Sequence, residues 1–216
     1  MSGNGNILGR WYHGMTGLDR LFAKSLDAVI QENLGSRTVQ KIENRLFEKF
    51  GITLTESLEQ FQKLDSVLRE YFGAAADGLE QKFLKSVCTV SFTNDETWLV
   101  IDNPVLTGVI LGSFGDDDKK KILGALNGTP LIVSQIIDLC SIAQTSGYRK
   151  VNALIDDGLL VPSGYITTND GKKVSKYRSV FDNIKIDIVK NKITVSLRLA
   201  KEDIGSSTIL TVCTQA

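Results

Sequence analysis

The segment that decides the fold of this chain reads QTSGYRKVNALIDDGLL and covers residues 144–160. On a helix with 100° between successive residues, its apolar and small residues gather on one side: Gly147, Val151, Leu154, Ile155 and Gly158. The other side carries residues that are polar, charged or small: Thr145, Arg149, Asn152, Ala153 and Asp156. The spacing therefore predicts a helix that packs through one side and leaves the other side free.

The free side of this helix is polarised along its length. Hydrogen-bonding and cationic residues stand at its start, and Asp156 and Asp157 stand at its end. A helix that enters the major groove of DNA with its N-terminus first needs this order, because Arg and Asn make paired hydrogen bonds to base edges while phosphates repel carboxylates. The hydroxyls of Thr145 and Ser146, with the free amides of the helix start, can meet a phosphate.

Each of these residues also has an ordinary explanation. Taken singly, Arg149 and Lys150 are as well explained as solvated charges, and Asn152 as an exposed polar residue. Tyr148 lies at the flank of the apolar side, where a half-packed ring is more typical than a base contact. The DNA hypothesis therefore depends on combining this helix with its neighbours.

The segment that follows predicts a basic β-hairpin. Two β-prone runs, residues 160–166 and 174–180, are joined by a turn signal that ends in Asp170-Gly171. Its cations are Lys172, Lys173, Lys176 and Arg178. Residues 144–200 hold ten basic and five acidic residues, a net charge of +5, in a chain with 25 of each and no net charge. Positive charge is therefore concentrated beside the predicted helix.

The first part of the chain predicts a helical domain over residues 17–90. Apolar residues recur at helical spacing over 18–34, 36–50, 58–72 and 75–87, which indicates four short-looped helices. Residues 91–102 change character, with a turn signal at 93–95 between two β-prone runs, and we expect a linker or a hairpin there.

The remaining segments are less uniform. Asn103-Pro104 is typical of a capped helix start, and Asp116, Asp117 and Asp118 stand where a helix dipole favours acids, which explains this run better than a metal site does. After the basic hairpin, strict alternation of apolar residues around a turn at 190–192 predicts an extra hairpin. We expect a flexible N-terminus over 1–16 and a tail or strand over 201–216.

Several function classes are disfavoured by composition. The three cysteines are far apart in the sequence, the single histidine is His13, and the acids show no catalytic pairing, so we expect no disulfide framework, no metal or other cofactor and no enzyme activity. No apolar run is long enough to cross a bilayer, and the first residues lack the features of a signal peptide. We expect a cytoplasmic protein.

From about residue 116 to 199 the chain resembles the winged helix-turn-helix of ArsR-like transcriptional regulators. The matching pieces are KKKILGALNGTP as first helix, SQIIDLC as positioning helix, TSGYRKVNALIDDGLL as recognition helix and GYITTNDGKKVSKYR as wing. The form SGYRK and the lead-in NPVLTGVILGSFGDDDKKKIL look like regulators of ammonia-oxidising archaea, in which a helical domain similar to 18–90 often precedes the winged helix. The resemblance implies a mainly α fold with an α+β part, and a winged helix-turn-helix over 103–200.

The resemblance also implies a function. It predicts a homodimer that binds specific duplex DNA at the nucleoid, with the helical domain serving dimerisation or signal input. The recognition helix would present Thr145, Ser146, Arg149, Lys150 and Asn152, with Tyr148 beside them, and the wing would present Lys172, Lys173, Lys176 and Arg178. Many ArsR relatives sense metal through a cysteine pair in the positioning helix, where only Cys140 stands here. Two alternatives remain, a winged-helix protein-interaction adaptor and a weakly specific architectural DNA-binding protein.

Overall fold

The computed structural model describes residues 17–93, 96–126 and 128–214 and has a mixed α+β fold. Its first part is helical, as the apolar spacing predicted, with the helices α1 (Gly17–Leu34), α2 (Ser36–Phe50), α3 (Leu54–Leu58), α4 (Phe61–Phe72) and α5 (Ala76–Lys85). No helix among the described residues has the length and apolarity to cross a membrane. The predicted flexible N-terminus, residues 1–16 with His13, lies outside the described residues.

The predicted third helix is two helices in the structure. The hydroxyl of Thr53 accepts a hydrogen bond from the amide of Glu56 (3.2 Å), and the carboxylate of Glu56 accepts one from the amide of Thr53 (2.8 Å). This reciprocal capping starts α3. Gln60 then adopts a non-helical backbone before α4 begins. The prediction of one helix over 58–72 was therefore wrong at its start, and the helical region has five helices where four were expected.

The rest of the chain forms two antiparallel sheets and the helices between them. The elements follow in the order β1 (Thr89–Thr93), β2 (Glu96–Ile101), α6 (Pro104–Gly115), α7 (Asp117–Ala125), β3 (Leu131–Ile132), α8 (Val133–Leu139), α9 (Gln144–Asp156), β4 (Leu160–Thr167), β5 (Lys173–Ser179), β6 (Phe181–Val189) and β7 (Lys192–Leu199). One sheet has the strand order β3-β5-β4, and the other has the order β1-β2-β7-β6. The segment expected as a linker or hairpin is thus a hairpin, and it shares one sheet with the predicted extra hairpin.

The C-terminal segment is helical, where a tail or strand was expected. It forms α10 (Lys201–Ser206) and α11 (Thr208–Thr214). The buried carboxylate of Asp19 in α1 accepts hydrogen bonds from the Ser207 hydroxyl (2.5 Å) and the Thr208 amide (3.1 Å) at the start of α11. Ile209 and Leu210 are buried where α11 packs against α4 and α5. This cap and this burial outweigh the strand preference of the β-branched residues in TILTV.

One apolar core runs from the N-terminal helices to both sheets. Helix α1 packs against α6, α6 packs against β7, and α11 packs against α5. The buried side chains of this core include Phe22 of α1, Phe83 of α5, Leu197 of β7 and Leu154 of α9. The boundary predicted near residue 90 therefore marks a change of secondary structure within a shared core.

The start of α1 and the end of α9 meet through two glycines. A Cβ atom built on Gly158 would lie 2.4 Å from the carbonyl oxygen of Gly17 and 2.7 Å from the amide nitrogen of Leu21. Gly158 also has a φ of +74°, in the left-handed region that residues with a side chain rarely adopt. Both the close approach and the backbone conformation therefore require glycine at residue 158.

Two polar contacts hold the same ends together. The guanidinium of Arg20 donates a hydrogen bond to the carbonyl oxygen of Ile155 (3.1 Å) in the last turn of α9, and this oxygen also accepts one from the amide of Gly158 (3.0 Å). Lys24 forms an ion pair with Asp157 at 3.0 Å. Helix α1 thus contacts the C-terminal end of α9 through its backbone and through two of its cations.

We expect Gly158→Ala to lower the free energy of unfolding by about 3 kcal/mol or more, because a strained φ adds to a collision with backbone atoms. Gly51→Ala is a matched control, since Gly51 also has a positive φ of +67° but nothing within 4 Å of a Cβ built there. That control should cost about 1–2 kcal/mol, the strain alone. Urea unfolding of the two variants measures the difference. Equal losses would contradict the close contact.

Candidate nucleic-acid interface

Helix α9 packs through the side that the sequence predicted. Gly147, Val151, Leu154 and Ile155 are buried. Gly147 is where α8 and α9 approach each other, because a Cβ built there would lie 2.6 Å from the side chain of Ile137 in α8. The packing side of α9 is therefore confirmed, and contacts with α7, α8 and β4 set the helix in place.

The opposite side of α9 faces outward. Thr145, Arg149 and Asn152 are exposed, and Ser146 is half-buried near the helix start. Tyr148 has 41% of its surface exposed, which is a partly packed position of the kind expected for it. This side of α9 thus presents hydroxyl, guanidinium and amide groups from successive turns.

The acids at the end of α9 point in two directions. Asp156 is exposed. Asp157 is half-buried and forms ion pairs with Lys24 of α1 (3.0 Å) and Lys119 of α7 (3.6 Å). One of the two acids is thus neutralised by neighbouring helices, which reduces the negative charge at this end of α9.

Lys150 does not share the exposed side with Arg149. Its ammonium lies 2.7 Å from a carboxylate oxygen of Asp116 and 2.8 Å from one of Asp118. Its side chain is only 17% exposed. The expectation that Lys150 is presented to DNA is therefore corrected: the ammonium joins α9 to the start of α7.

One of the acids that hold Lys150, Asp116, also caps α7, as expected for acids at a helix start. The Asp116 carboxylate accepts hydrogen bonds from the amides of Asp118 and Lys119, both at 3.0 Å. The hydrogen bond from Lys150, followed by that from the Lys119 amide, lowers the pKa of the Asp116 carboxyl. Two acids of the three-acid run, Asp116 and Asp118, thus have structural roles at the start of α7.

The hairpin of β4 and β5 carries two exposed cations near its turn. The amide of Thr168 donates to the carbonyl oxygen of Lys172 (2.9 Å), and Gly171 adopts a φ of +78°, so the predicted turn forms. Lys172 is exposed and pairs with Asp170 at 2.8 Å. The ammonium of Lys173 lies 4.6 Å from the ring centroid of Tyr165. The hairpin end therefore combines cations with an exposed aromatic ring.

The other two cations of this hairpin lie further from the turn. Lys176 is half-buried in β5, the central strand of its sheet, opposite Ile132 of β3. Arg178 binds Asp203 of α10 through two hydrogen bonds of 2.8 and 2.6 Å. The expectation that Arg178 belongs to a DNA-binding wing is therefore corrected: its guanidinium holds α10 against β5.

We define the basic face as the exposed side of α9 together with the end of the β4–β5 hairpin. Its predicted members are Thr145, Ser146, Tyr148, Arg149, Asn152, Lys172 and Lys173. Tyr165, with 57% of its surface exposed, joins this set although the sequence reasoning missed it. Tyr165 pairs with Ser175, so it is a diagonal neighbour of Lys173 on the same face of the hairpin. A hairpin register deduced from the predicted turn could have indicated this contact. The basic face can donate hydrogen bonds to an anionic, extended ligand.

Two other groups bear on metal binding. Burial raises the pKa of the Cys140 thiol at the end of α8, which favours the protonated form rather than the thiolate that binds metals. Carboxylate oxygens of Asp65, Asp77 and Glu80 lie within 4.8 Å of one another, close enough to share a metal ion. Arg69 already binds both Asp65 and Asp77.

Glu80 is the unusual member of this trio. It is 1% exposed, and neither carboxylate oxygen has a hydrogen-bond partner among the described residues. Burial, and after it the negative charge of Asp65, raises the pKa of Glu80 to about 8. A protonated Glu80 carries no charge and can donate a hydrogen bond to the nearby carboxylate of Asp65.

Comparisons with protein-family models, curated proteins and solved structures find no match to this chain.

We expect Glu80→Gln to change how stability depends on pH in a buffer with a metal chelator. Because the folded-state pKa of Glu80 is raised, its stabilising effect is fully present below the unfolded value of 4.5 and is lost as the pH rises through about 8. Wild type should therefore lose up to about 1.4 kcal/mol per pH unit relative to Glu80→Gln across this window. Urea unfolding at a series of pH values measures it. A difference that is constant with pH, or that favours wild type as the pH rises, would contradict a protonated Glu80.

Proposed function

We propose that this chain is a transcriptional regulator that binds specific sequences of double-stranded DNA, and that α7 to β5 form its winged helix-turn-helix. The order α7, β3, α8, α9, β4, β5 and the sheet order β3-β5-β4 support this assignment. In that assignment α8 is the positioning helix, α9 is the recognition helix and the β4–β5 hairpin is the wing. The ArsR-like resemblance of the sequence points the same way.

The main support for the proposal is that the side chain of Arg149 is exposed and not held in an ion pair. Its side chain is exposed on α9 and forms no ion pair with any residue in the described part of the chain, whereas the adjacent Lys150 pairs with two acids. A cation held outward on a well-packed helix, beside exposed hydroxyl and amide groups, fits a ligand that supplies both phosphates and hydrogen-bonding base edges.

The hydrogen-bonding and cationic members of the basic face then have distinct roles. Arg149 and Asn152 contact base edges in the major groove, and the hydroxyls of Thr145 and Ser146 contact phosphates near the start of α9. Lys172 and Lys173 of the wing bind phosphates or the minor groove, and Lys176, half-buried further along β5, joins them in this role. Asp156, at the far end of α9, stays away from the backbone of the duplex. Two members of the original set, Lys150 and Arg178, hold the domain together instead.

The same proposal includes a homodimer that acts at the nucleoid and catalyses no reaction. Two copies of α9 would read two half-sites, as in dimeric helix-turn-helix proteins. The N-terminal helices, which share a core with α9, would serve dimerisation or signal input. No cofactor is part of this mechanism.

A protein-interaction adaptor is the second candidate, and the wing favours it in one respect. Lys172 and Arg178, two of the four wing cations, are engaged by Asp170 and Asp203. The charge that would distinguish a DNA-binding wing from an adaptor is therefore smaller than the sequence indicated. Binding of random duplex DNA at low salt, lost at high salt, would favour DNA binding; no binding at low salt would favour the adaptor.

We expect Arg149→Ala to weaken binding to a site selected from genomic DNA by about 1–3 kcal/mol and to relax base preference, because one base contact is lost. The matched control is Arg37→Ala, which removes an exposed arginine from α2 instead. Titration of labelled duplexes with each variant measures both affinities. Equal binding by wild type and Arg149→Ala would contradict the role of α9.

We expect Lys173→Ala to weaken binding to all duplexes alike and to flatten the dependence of log affinity on log salt by about one unit, because one phosphate contact is lost. Lys41→Ala in α2 removes an exposed lysine away from the basic face and should leave the slope unchanged. An unchanged slope in Lys173→Ala would remove the wing from the interface. If Lys173→Ala weakens binding while Arg149→Ala changes no base preference, the architectural alternative is favoured.

A further inference from the structure

Strand β6 forms one edge of the four-stranded sheet. It pairs with β7 on one side, and no strand among the described residues pairs with its other side. After a bulge between Phe181 and Asn183 its register with β7 is regular as far as Val189. A regular edge strand of this length offers a row of backbone donors and acceptors to another strand.

The geometry of the turn after β6 determines which residues of β6 direct their backbone N–H and C=O groups away from β7, toward the free edge. Lys190 and Asn191, with φ angles of 47° and 64°, form a two-residue turn closed by the pair Val189 and Lys192. The closing pair of such a hairpin exchanges both hydrogen bonds, and bonded pairs then alternate along the ladder. The N–H and C=O groups of Ile184, Ile186 and Ile188 therefore face the free edge.

The same strand exposes apolar side chains. Ile186 is 41% exposed and Ile188 is 68% exposed, although both share a face with residues of β7 that belong to the core, such as the fully buried Val195. The sequence predicted that this alternating strand has an apolar face to bury. The structure leaves the end of that face uncovered.

The sequence of β6 is complementary to itself when two copies run antiparallel about Ile186. In that register Ile184 lies opposite Ile188, and Lys185 lies opposite Asp187 on the other face. The two nearest registers with the same backbone pattern are centred on residues 185 and 187. They would place Lys185 opposite Lys185, or Asp187 opposite Asp187, and like charges in that position are destabilising.

Both charged residues are able to make this contact. Asp187 is exposed and forms no ion pair within the described part of the chain. The ammonium of Lys185 lies 3.8 Å from the ring centroid of Trp98 and close enough to Glu96 to act on its charge, but it forms no ion pair with any described residue. Each copy would therefore supply one cation and one anion, neither of them held in an ion pair, to a symmetric pair of salt bridges.

A pocket next to the free edge of β6 is consistent with the antiparallel pairing of two copies about Ile186. It has a volume of about 330 Å³, and its apolar lining includes Phe114, Leu123, Phe181 and Ile184. Because Ile188 of a second copy would lie opposite Ile184, its side chain would stand at the mouth of this pocket. The second copy thus covers apolar surface that a single copy leaves open.

We propose that two copies of this chain associate through β6, antiparallel and centred on Ile186, so that two four-stranded sheets become one eight-stranded sheet. The contact is isologous, since each copy uses the same residues. This pairing depends on the residues and edge of β6 and does not require DNA binding. If the proposed function holds, this pairing supplies the dimer interface and makes two copies of α9 available to one duplex.

Cross-linking at the symmetry axis tests the register. In the proposed pairing the two Cα atoms of residue 186 are about 5.5 Å apart, within disulfide range, so Ile186→Cys should form a covalent dimer under mild oxidation with glutathione disulfide. Val189→Cys is the control: residue 189 is more exposed than residue 186 (65% against 41%), but its two copies would be about 20 Å apart. Wild type shows the background from the native cysteines. Equal cross-linking at both positions, or none at residue 186, would overturn the proposal.

A charge exchange provides a second test that needs no oxidation. Lys185→Asp places like charges opposite each other and should weaken dimerisation about tenfold, and Lys185→Asp combined with Asp187→Lys should restore it. Sedimentation equilibrium without DNA measures the dissociation constants. Rescue by the double variant separates this pairing from the mere loss of the Lys185 contact with Trp98. A wild-type chain that is monomeric at all concentrations, or a double variant as weak as the single one, would overturn the pairing. Neither result would depend on whether the protein binds DNA.

Discussion

The contact between Gly17 and Gly158 is the constraint on which the arrangement of the helices depends. At residue 158 there is no space for a side chain, and the backbone leaves α9 with a positive φ that glycine adopts without cost. This lets the start of α1 approach the end of α9 closely enough for Arg20 and Lys24 to bind there. The helical region and the segment that carries the basic face are consequently parts of one packed body.

Helix α1 organises the C-terminal end of the chain as well. Its buried Asp19 caps α11, which packs against α4 and α5. Asp203 of the neighbouring α10 in turn holds Arg178 of β5. These contacts connect the N-terminal helices to the sheet beside α9 without a break. Signal input from the N-terminal region would require such a connection, because a conformational change there must reach α9 through packed residues.

Cations that are adjacent in the sequence differ in whether they are exposed or held in ion pairs. Arg149 and Lys150 are adjacent in the sequence, yet one faces outward and the other joins α9 to the cap of α7. Helical periodicity places the two residues 100° apart, but it does not say that Asp116 and Asp118 will face Lys150. The same holds for Arg178, whose partner is 25 residues further along the chain. Residue type and spacing predicted where positive charge gathers, and tertiary contacts decided which of those charges remain free.

By itself, the sequence determined most of the secondary structure: the helices with strong apolar stripes, both later hairpins, the packing side of α9 and the capped starts of α6 and α7. These features depend on local periodicity and on side chains that bond to nearby backbone groups, so a short window contains their cause. Only the tertiary structure decided that α11 is a helix, that β2 pairs with β7, and that an apolar edge of β6 stays uncovered. Each of these depends on residues distant in the chain, such as Asp19 for α11, and no local pattern records which distant groups will meet.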